Sequence, residues 1–353
     1  MHLPPQQPNL VPRRIRRRWF IAPLIVLATW GGLYLIGLWE APITIVNGIT
    51  GGAISSLFGD ENPSLPKLDD DPDYQMPKRE ANRLDILLLG IRGEDDEENG
   101  NYLTDTILLL SIDTTTSDAS IVSIPRDLYV RLGDTVSDKI NSAYLRLGLS
   151  GVQRMFSRVT GVYIDHAVVV DFEAFRTLVD ELGGVTVTLE HPFTEAQQWG
   201  YEFHLPAGEN TLNGEQALYF VRSRYSTSDF DRAWRQQQVM LGLRARAEEL
   251  GVMSNPIKAV GLFNAVRKHV ETDINVLDVG TITELFDLAR NTDRIRRYVL
   301  TTENLLIETT AGGPYRLLPR GNSLTEIKAF FSALPSRAVL TRATPTPTDI
   351  PTQ

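Results

Sequence analysis

Twenty-one consecutive residues without a charge, Trp19–Trp39, constrain this chain more than any other stretch. At 1.5 Å per residue the run makes about 30 Å of helix, the thickness of a bilayer core. The residues before it, Val11–Arg18, read VPRRIRRR, and Glu40 follows it. Trp19, Trp30, Tyr34 and Trp39 put aromatics at both ends, as interface anchors are placed. Arginines on one side orient the N-terminus to the cytoplasm and everything after the run to the outside. A cleaved signal peptide is the competing reading, but its apolar region is shorter and ends in small residues. Ala41–Phe58 is apolar and broken by glycines; it extends the helix, lies on the membrane or loops, and the sequence leaves these open.

Gly59–Arg79 is rich in Pro, Asp and Asn without apolar periodicity and reads as a linker. Fully extended, it reaches about 70 Å. Beyond it, Ile86–Leu89, Thr106–Ile112, Ser120–Ile124, Ala167–Val170 and Val185–Leu189 are short apolar runs between turn signals, hence predicted strands. Helices are predicted at about Phe172–Leu182, ending in Gly183-Gly184, and at Leu277–Arg290. Strands interspersed with helices predict an α/β sandwich. The predicted organisation is a basic cytoplasmic N-terminus 1–18, a transmembrane helix 19–39 and a membrane-proximal segment and linker 40–80. An extracytoplasmic domain 81–334 and a disordered Thr/Pro-rich tail 335–353 follow.

Charge and composition then exclude several classes of function. Five arginines precede residue 40, so the remainder carries 30 basic against 43 acidic residues. An acidic domain has no general attraction for nucleic acid, and an arginine cluster inside it is a device for a particular anion. There is no cysteine, which removes thiol chemistry, cysteine metal sites and disulfides.

That cluster is Val221–Arg246, with arginines at 222, 224, 232, 235, 244 and 246. Ala217–Val221 reads as a strand, which sets Arg222 and Arg224 on one face. Ser228 or Asp229 caps a predicted helix to about Leu250, on which Arg232, Arg235 and Gln236 cluster over two turns. Guanidinium forks at this density suit a phosphate or pyrophosphate. The alternative is a solvated helix face with ion pairs to Asp229 and Asp231.

Other polar residues stand at strand ends, where α/β proteins place ligand sites. Asp105 immediately precedes a strand and can hold a divalent cation by one oxygen, or simply cap the strand. Gly93–Asn101 carries Glu94, Asp95, Asp96, Glu97 and Glu98, a run that is usually solvated. In Ser123-Ile-Pro-Arg-Asp127, Pro125 ends the pairing and projects Arg126 and Asp127 from a turn. Lys139 opens the next helical segment, where it can bind a phosphate. His166, His191, His204 and His269 share no metal-ligand spacing, and no G-x-S-x-G, P-loop or Rossmann glycine pattern is present.

LTDT, SIPRD, KINSAY, DFEAFRTLVDELGGVTV and R-S-R…SDFDRAWRQQQ together resemble the LytR–CpsA–Psr family of bacterial cell-envelope proteins, over about Leu84 to Ala247. The resemblance implies a mixed central sheet flanked by helices. It also implies a single-pass protein of the cell membrane that moves a glycopolymer from a polyprenyl-pyrophosphate carrier onto a peptidoglycan hydroxyl, with Mg²⁺. By the same resemblance Asp105 is the metal-binding acid and Arg126 a pyrophosphate contact. Arg222, Arg224, Arg232 and Gln236 are the head-group cluster, with Asp229 an acid within it; Lys139 is a candidate substrate-binding residue from its position alone. Two departures stand out. Leu103 replaces the arginine common two residues before the metal Asp, and Gly90-Ile-Arg-Gly-Glu94 replaces a Gly-x-Asp-x-Arg turn. The second metal contact then falls to Asp95 or Glu94, and proton acceptance to Asp105 or Asp229. Hydrolysis of the carrier, or its non-catalytic sensing by a regulator, are the rival readings.

Overall fold

Arg83–Gly90 (RLDILLLG) forms β1, whose side chains alternate between two buried faces. Leu87 and Leu89 point into one core, and Leu84, Ile86 and Leu88 into another. A strand covered on both sides reads as a continuous apolar run, which is why its type was legible. The computed structural model describes residues 75–334, apart from 94–101, 133–135, 199, 225–226, 277, 293 and 311–313. Among the described residues no helix is long and apolar enough to cross a membrane. The predicted span 19–39, the tail 335–353 and the acidic loop with Asp95 lie outside the described residues.

After β1 come β2 (Thr106–Asp113), β3 (Asp118–Ser123), β4 (Tyr129–Arg131), β5 (Ser137–Lys139), α1 (Ala143–Thr160), β6 (His166–Val170) and α2 (Phe172–Glu181). Then follow β7 (Val185–Leu189), β8 (Phe193–Glu195), β9 (Phe203–Leu205), β10 (Gly208–Leu212), α3 (Gly214–Arg222), α4 (Asp229–Glu249) and α5 (Pro256–Val266). The last elements are β11 (Val270–Thr272), α6 (Val279–Asn291), β12 (Arg294–Val299), β13 (Leu306–Thr309), β14 (Arg316–Pro319) and α7 (Thr325–Ser332). Six strands form the central sheet in the order β11-β6-β1-β2-β3-β12. It is mixed: β1–β6 and β3–β12 run parallel, and the other pairs antiparallel.

One face of the sheet packs on α1 and α7 through Val152, Met155, Phe156, Ile327 and Phe331. The other packs on α6 through Leu285 and Leu288. The expected mixed sheet flanked by helices is therefore present. A third core gathers α2, α3, α4 and the β7–β10 hairpin around Val185, Leu212, Phe220 and Val239. There α4 closes on β7 at Gly242, where a Cβ would stand 2.6 Å from the Thr186 carbonyl oxygen.

One sequence expectation changes and another gains its partner. Ala217–Val221 is helical, inside α3, because Asn213 and Gln216 form a reciprocal capping box at its start. Five apolar residues cannot by themselves tell strand from helix, so the cap decides. Val185–Leu189 is a strand, but it pairs with β10 outside the central sheet.

A buried ion pair fixes the sheet end opposite the loops described below. Arg83 Nε donates to Asp85 at 2.6 Å, and Arg83 Nη2 reaches the Phe331 carbonyl at 2.8 Å. The Asp85 amide donates to Asp165, which also pairs with Arg79. Burial raises the Asp85 carboxyl above its ordinary value despite the neighbouring Arg83.

Candidate functional site

Pairing registers bring the polar motifs to one end of the sheet. Gly90 ends β1 opposite Thr106, and Ser123 ends β3 opposite Leu108. Asp105, directly before β2, is held there by its amide, which donates to the Gly90 carbonyl at 2.9 Å. After β3, the Ile124 amide still reaches Ile107, and Pro125 then turns the chain. The turn is pinned on two sides. The Asn141 amide donates to Arg126 O at 3.2 Å, and the Leu317 amide to Asp127 O at 2.9 Å. Arg126 therefore leaves a fixed backbone.

The second half of the site arrives on α4. Ser228 caps it, accepting from the Asp231 amide while Asp231 accepts from the Ser228 amide. Farther along, Gln237 Nε2 donates to Ser123 Oγ and to the Tyr298 carbonyl, both at 2.8 Å, which locks the helix to β3 and β12. The first turns of α4 thus face the strand ends. Asp105, Arg126, Asp229, Arg232 and Gln236 line one cleft there, with Ile107, Ile124, Phe230 and Val299 among its apolar walls.

Arg126 joins two carboxylates of the cleft, and its Nε also stands 3.6 Å from Asp127 Oδ2. Its Nη1 lies 2.5 Å from Asp105 Oδ1, and its Nε 3.5 Å from Asp229 Oδ2. Arg232 Nη2 and Arg224 Nε each sit 3.0 Å from Asp229. Arg92 Nε approaches the second Asp105 oxygen to 3.7 Å. Four guanidiniums therefore face three carboxylates, those of Asp105, Asp127 and Asp229. The Nε atoms of Arg126 and Arg232 are buried and make no hydrogen bond among the described residues, and Arg126 Nε stands at ion-pair distance from Asp127 and Asp229. The excess of guanidinium over carboxylate suits a bound anion.

The electrostatics agree with that excess. Burial would raise the Asp105 carboxyl, but the charges of Arg126, Arg232 and Arg92 outweigh it and hold the group below its ordinary value. Burial also lowers Arg232 to about 10, opposed by Asp229 and aided by Arg126 and Arg224. Arg232 remains charged at neutral pH, and a phosphate beside it would raise it again.

Not every expected residue reaches the cleft. Arg222 ends α3 and lays its guanidinium 4.3 Å above the Phe172 ring, so Arg222 and Arg224 share no strand face. Lys139 pairs with Asp127 at 2.5 Å, next to the site but not in its lining. Arg235, grouped with Arg232 by spacing, turns into the third core and donates to the Phe220 and Ser223 carbonyls. Arg92 went unassigned in the sequence. Gly93 beside it has φ +94, and a Cβ there would meet Asp171 Cβ at 2.8 Å. The glycine three residues after the strand is the readable signal for this turn.

Mg²⁺ fits this donor set in one form. The Asp105 oxygen beyond bonding distance of Arg92 offers the single-oxygen hold the ion takes beside substrate phosphates. Among the described residues no group of three or more His, Cys, Asp or Glu side chains could hold a metal by protein alone.

Comparison with known proteins agrees over most of the chain. The LytR_cpsA_psr family model matches residues 59–328. The polyisoprenyl-teichoic acid–peptidoglycan teichoic acid transferase TagU of Bacillus subtilis (strain 168) is 28% identical over 310 residues, covering 87% of this chain and 91% of that protein. TagU of Oceanobacillus iheyensis is 31% identical over 290 residues, covering 78% and 83%. Among solved structures, B. subtilis TagV superposes with a TM-score of 0.57 at 26% identity, over 72% of this chain and 97% of that one. TagT bound to LIIa-WTA has a TM-score of 0.57 at 23% identity, over 71% and 90%, a likeness of fold.

Proposed function

The chain belongs to the LytR_cpsA_psr family, and on that premise we propose that it transfers a phosphoryl-linked glycopolymer from a polyprenyl-pyrophosphate carrier to a peptidoglycan hydroxyl. The observation that carries this reading is the set of four guanidiniums, of Arg92, Arg126, Arg224 and Arg232, gathered around Asp105 and Asp229 at the cleft. The names of the TagU relatives support the same class of substrate and acceptor.

In the proposed reaction the acceptor oxygen forms a bond to the phosphorus that carries the glycan. The bond from that phosphorus to the bridging oxygen breaks, and polyprenyl phosphate leaves with the electron pair. The hydroxyl proton passes to a carboxylate. Since Asp105 is the acid assigned to the cation, we assign proton acceptance to Asp229, the second carboxylate of the cleft. Arg126 and Arg232 bind the pyrophosphate and stabilise charge on the breaking bridge, and Arg224 holds Asp229. Gln236 lines the cleft beside Arg232. Asp105, with the substrate's own phosphates, would hold Mg²⁺, which when bound neutralises charge on the leaving phosphate. The N-terminal run 19–39 would anchor the domain at the membrane that carries the lipid.

Purified full-length protein, given a short-chain polyprenyl-pyrophosphate oligosaccharide and peptidoglycan, should release polyprenyl phosphate and attach the sugar to the wall. Release without attachment, at the same rate whether or not peptidoglycan is present, would make the protein a hydrolase. No release would make it a binder.

A further inference from the structure

The β13–β14 hairpin stands directly beside the cleft, yet none of its residues belongs to the charge cluster. It is stitched to the Arg126–Asp127 turn by the Leu317 amide, which donates to Asp127 O at 2.9 Å, and by a bridge between Leu128 and Leu317. The Arg316 guanidinium lies 4.7 Å over the Tyr129 ring, a second clamp on the same turn. Tyr315 is two residues before Leu317, so at strand spacing its backbone lies within about 7 Å of that of Leu317. Its ring is 41% exposed, and Ile307 on the partner strand is 40% exposed.

Tyr315 is an exposed aromatic on this hairpin. Its phenol lies within the electrostatic reach of Glu308, of Asp127 and of Asp229, which lines the cleft. Asp127 itself is held by Lys139 at 2.5 Å. A half-exposed aromatic ring with a carboxylate and an Asp–Lys pair in its neighbourhood offers apolar surface together with donors and acceptors. A saccharide ring presents the complement, an apolar face of C–H groups and a rim of hydroxyls.

The geometry points to a subsite for the acceptor glycan, in which a sugar ring stacks on Tyr315, hydrogen-bonds Glu308 and presents its neighbour's hydroxyl to Asp229. The subsite rests on the transferase reading for its role, but not for its existence. Tyr315 is a positioning residue and takes no part in the bond exchange.

The test uses the full-length protein in nanodiscs and a soluble β-1,4-linked N-acetylglucosamine hexamer as probe. Without any donor, saturation-transfer NMR should show the hexamer bound to wild type and to Tyr315→Phe, and no transfer to the hexamer from Tyr315→Ala. With a short-chain polyprenyl-pyrophosphate donor, Tyr315→Ala should raise the acceptor KM at least about tenfold while kcat stays within about threefold. Glu308→Gln should raise the acceptor KM in the same direction. Wild type that does not bind the hexamer, or Tyr315→Ala with wild-type binding and KM, overturns the subsite. Hexamer binding through Tyr315 in a protein that never cleaves the donor leaves the subsite standing and overturns the transferase reading instead.

Discussion

Arg126 Nε lies 3.5 Å from Asp229 Oδ2, while the same guanidinium holds Asp105 at 2.5 Å. One side chain thereby couples the strand that follows Asp105 to the helix that begins at Asp229. An excess of guanidinium over carboxylate in this cleft sets its preference for a bound anion.

Asp105→Ala should keep the fold and lower Mg²⁺-dependent release of polyprenyl phosphate by about a hundredfold or more, as removal of a key electrostatic group does. Asp105 sits at a cleft lip and not in a core, so thermal unfolding should be cooperative as in wild type. Undiminished turnover in the variant would place the metal, or the need for one, elsewhere.

Arg232→Lys should lower turnover at least about tenfold, equivalent to 1.4 kcal/mol in the barrier, because an ammonium cannot make the forked contact. Arg222→Lys should stay within about threefold, since Arg222 stacks on Phe172 outside the cleft lining. Arg244 would be a poor control, because it is half-buried and donates to the Ala289 and Thr292 carbonyls. Exposed Arg290 replaces it. Equal rates for the lysine variants at 232 and 290 would remove the pyrophosphate role.

Stability should reveal Asp105 through pH. Its folded pKa lies below the unfolded value of about 3.9, so its charge stabilises the fold above that pH, and the contribution disappears as pH falls through the folded value. Asp105→Asn should be less stable than wild type at pH 7, and the gap should close as pH drops below about 4. Urea titrations across that window decide it; a gap as wide at pH 3 as at pH 7 contradicts the ion pairs.

Far from the cleft, Arg83→Met should destabilise the domain by about 3–5 kcal/mol, because it strands the buried Asp85 carboxylate. The double variant Arg83→Met with Asp85→Leu should recover most of that loss. Urea unfolding of the single and double variants measures both, and additive losses would refute the coupling.

Local patterns in the chain determined a good deal by themselves. The buried strands β1 to β3, helix α2 with its Gly183-Gly184 end, the Ser228 cap and the span of α4 follow from periodicity and capping, which act over a few residues. Asp105, Arg126, Asp229, Arg232 and Gln236, singled out in the sequence, come to one cleft because strand ends and one helix face carry them. The tertiary structure decided what spacing could not. A short apolar run became α3 through a cap whose two side chains close on each other, and Arg222 came to stack on Phe172 with it. Arg232 and Arg235 occupy neighbouring positions on one helix, yet packing against α3 turned Arg235 inward to backbone carbonyls and left Arg232 in the cleft. Arg92 joined Asp105 because the antiparallel pairing of β1 with β2 brings the two ends of their connection together. Tyr315 came beside the cleft because β14 docks on the Asp127 turn. Such contacts depend on which surfaces are buried together, and that is settled by the whole core and not by any one segment.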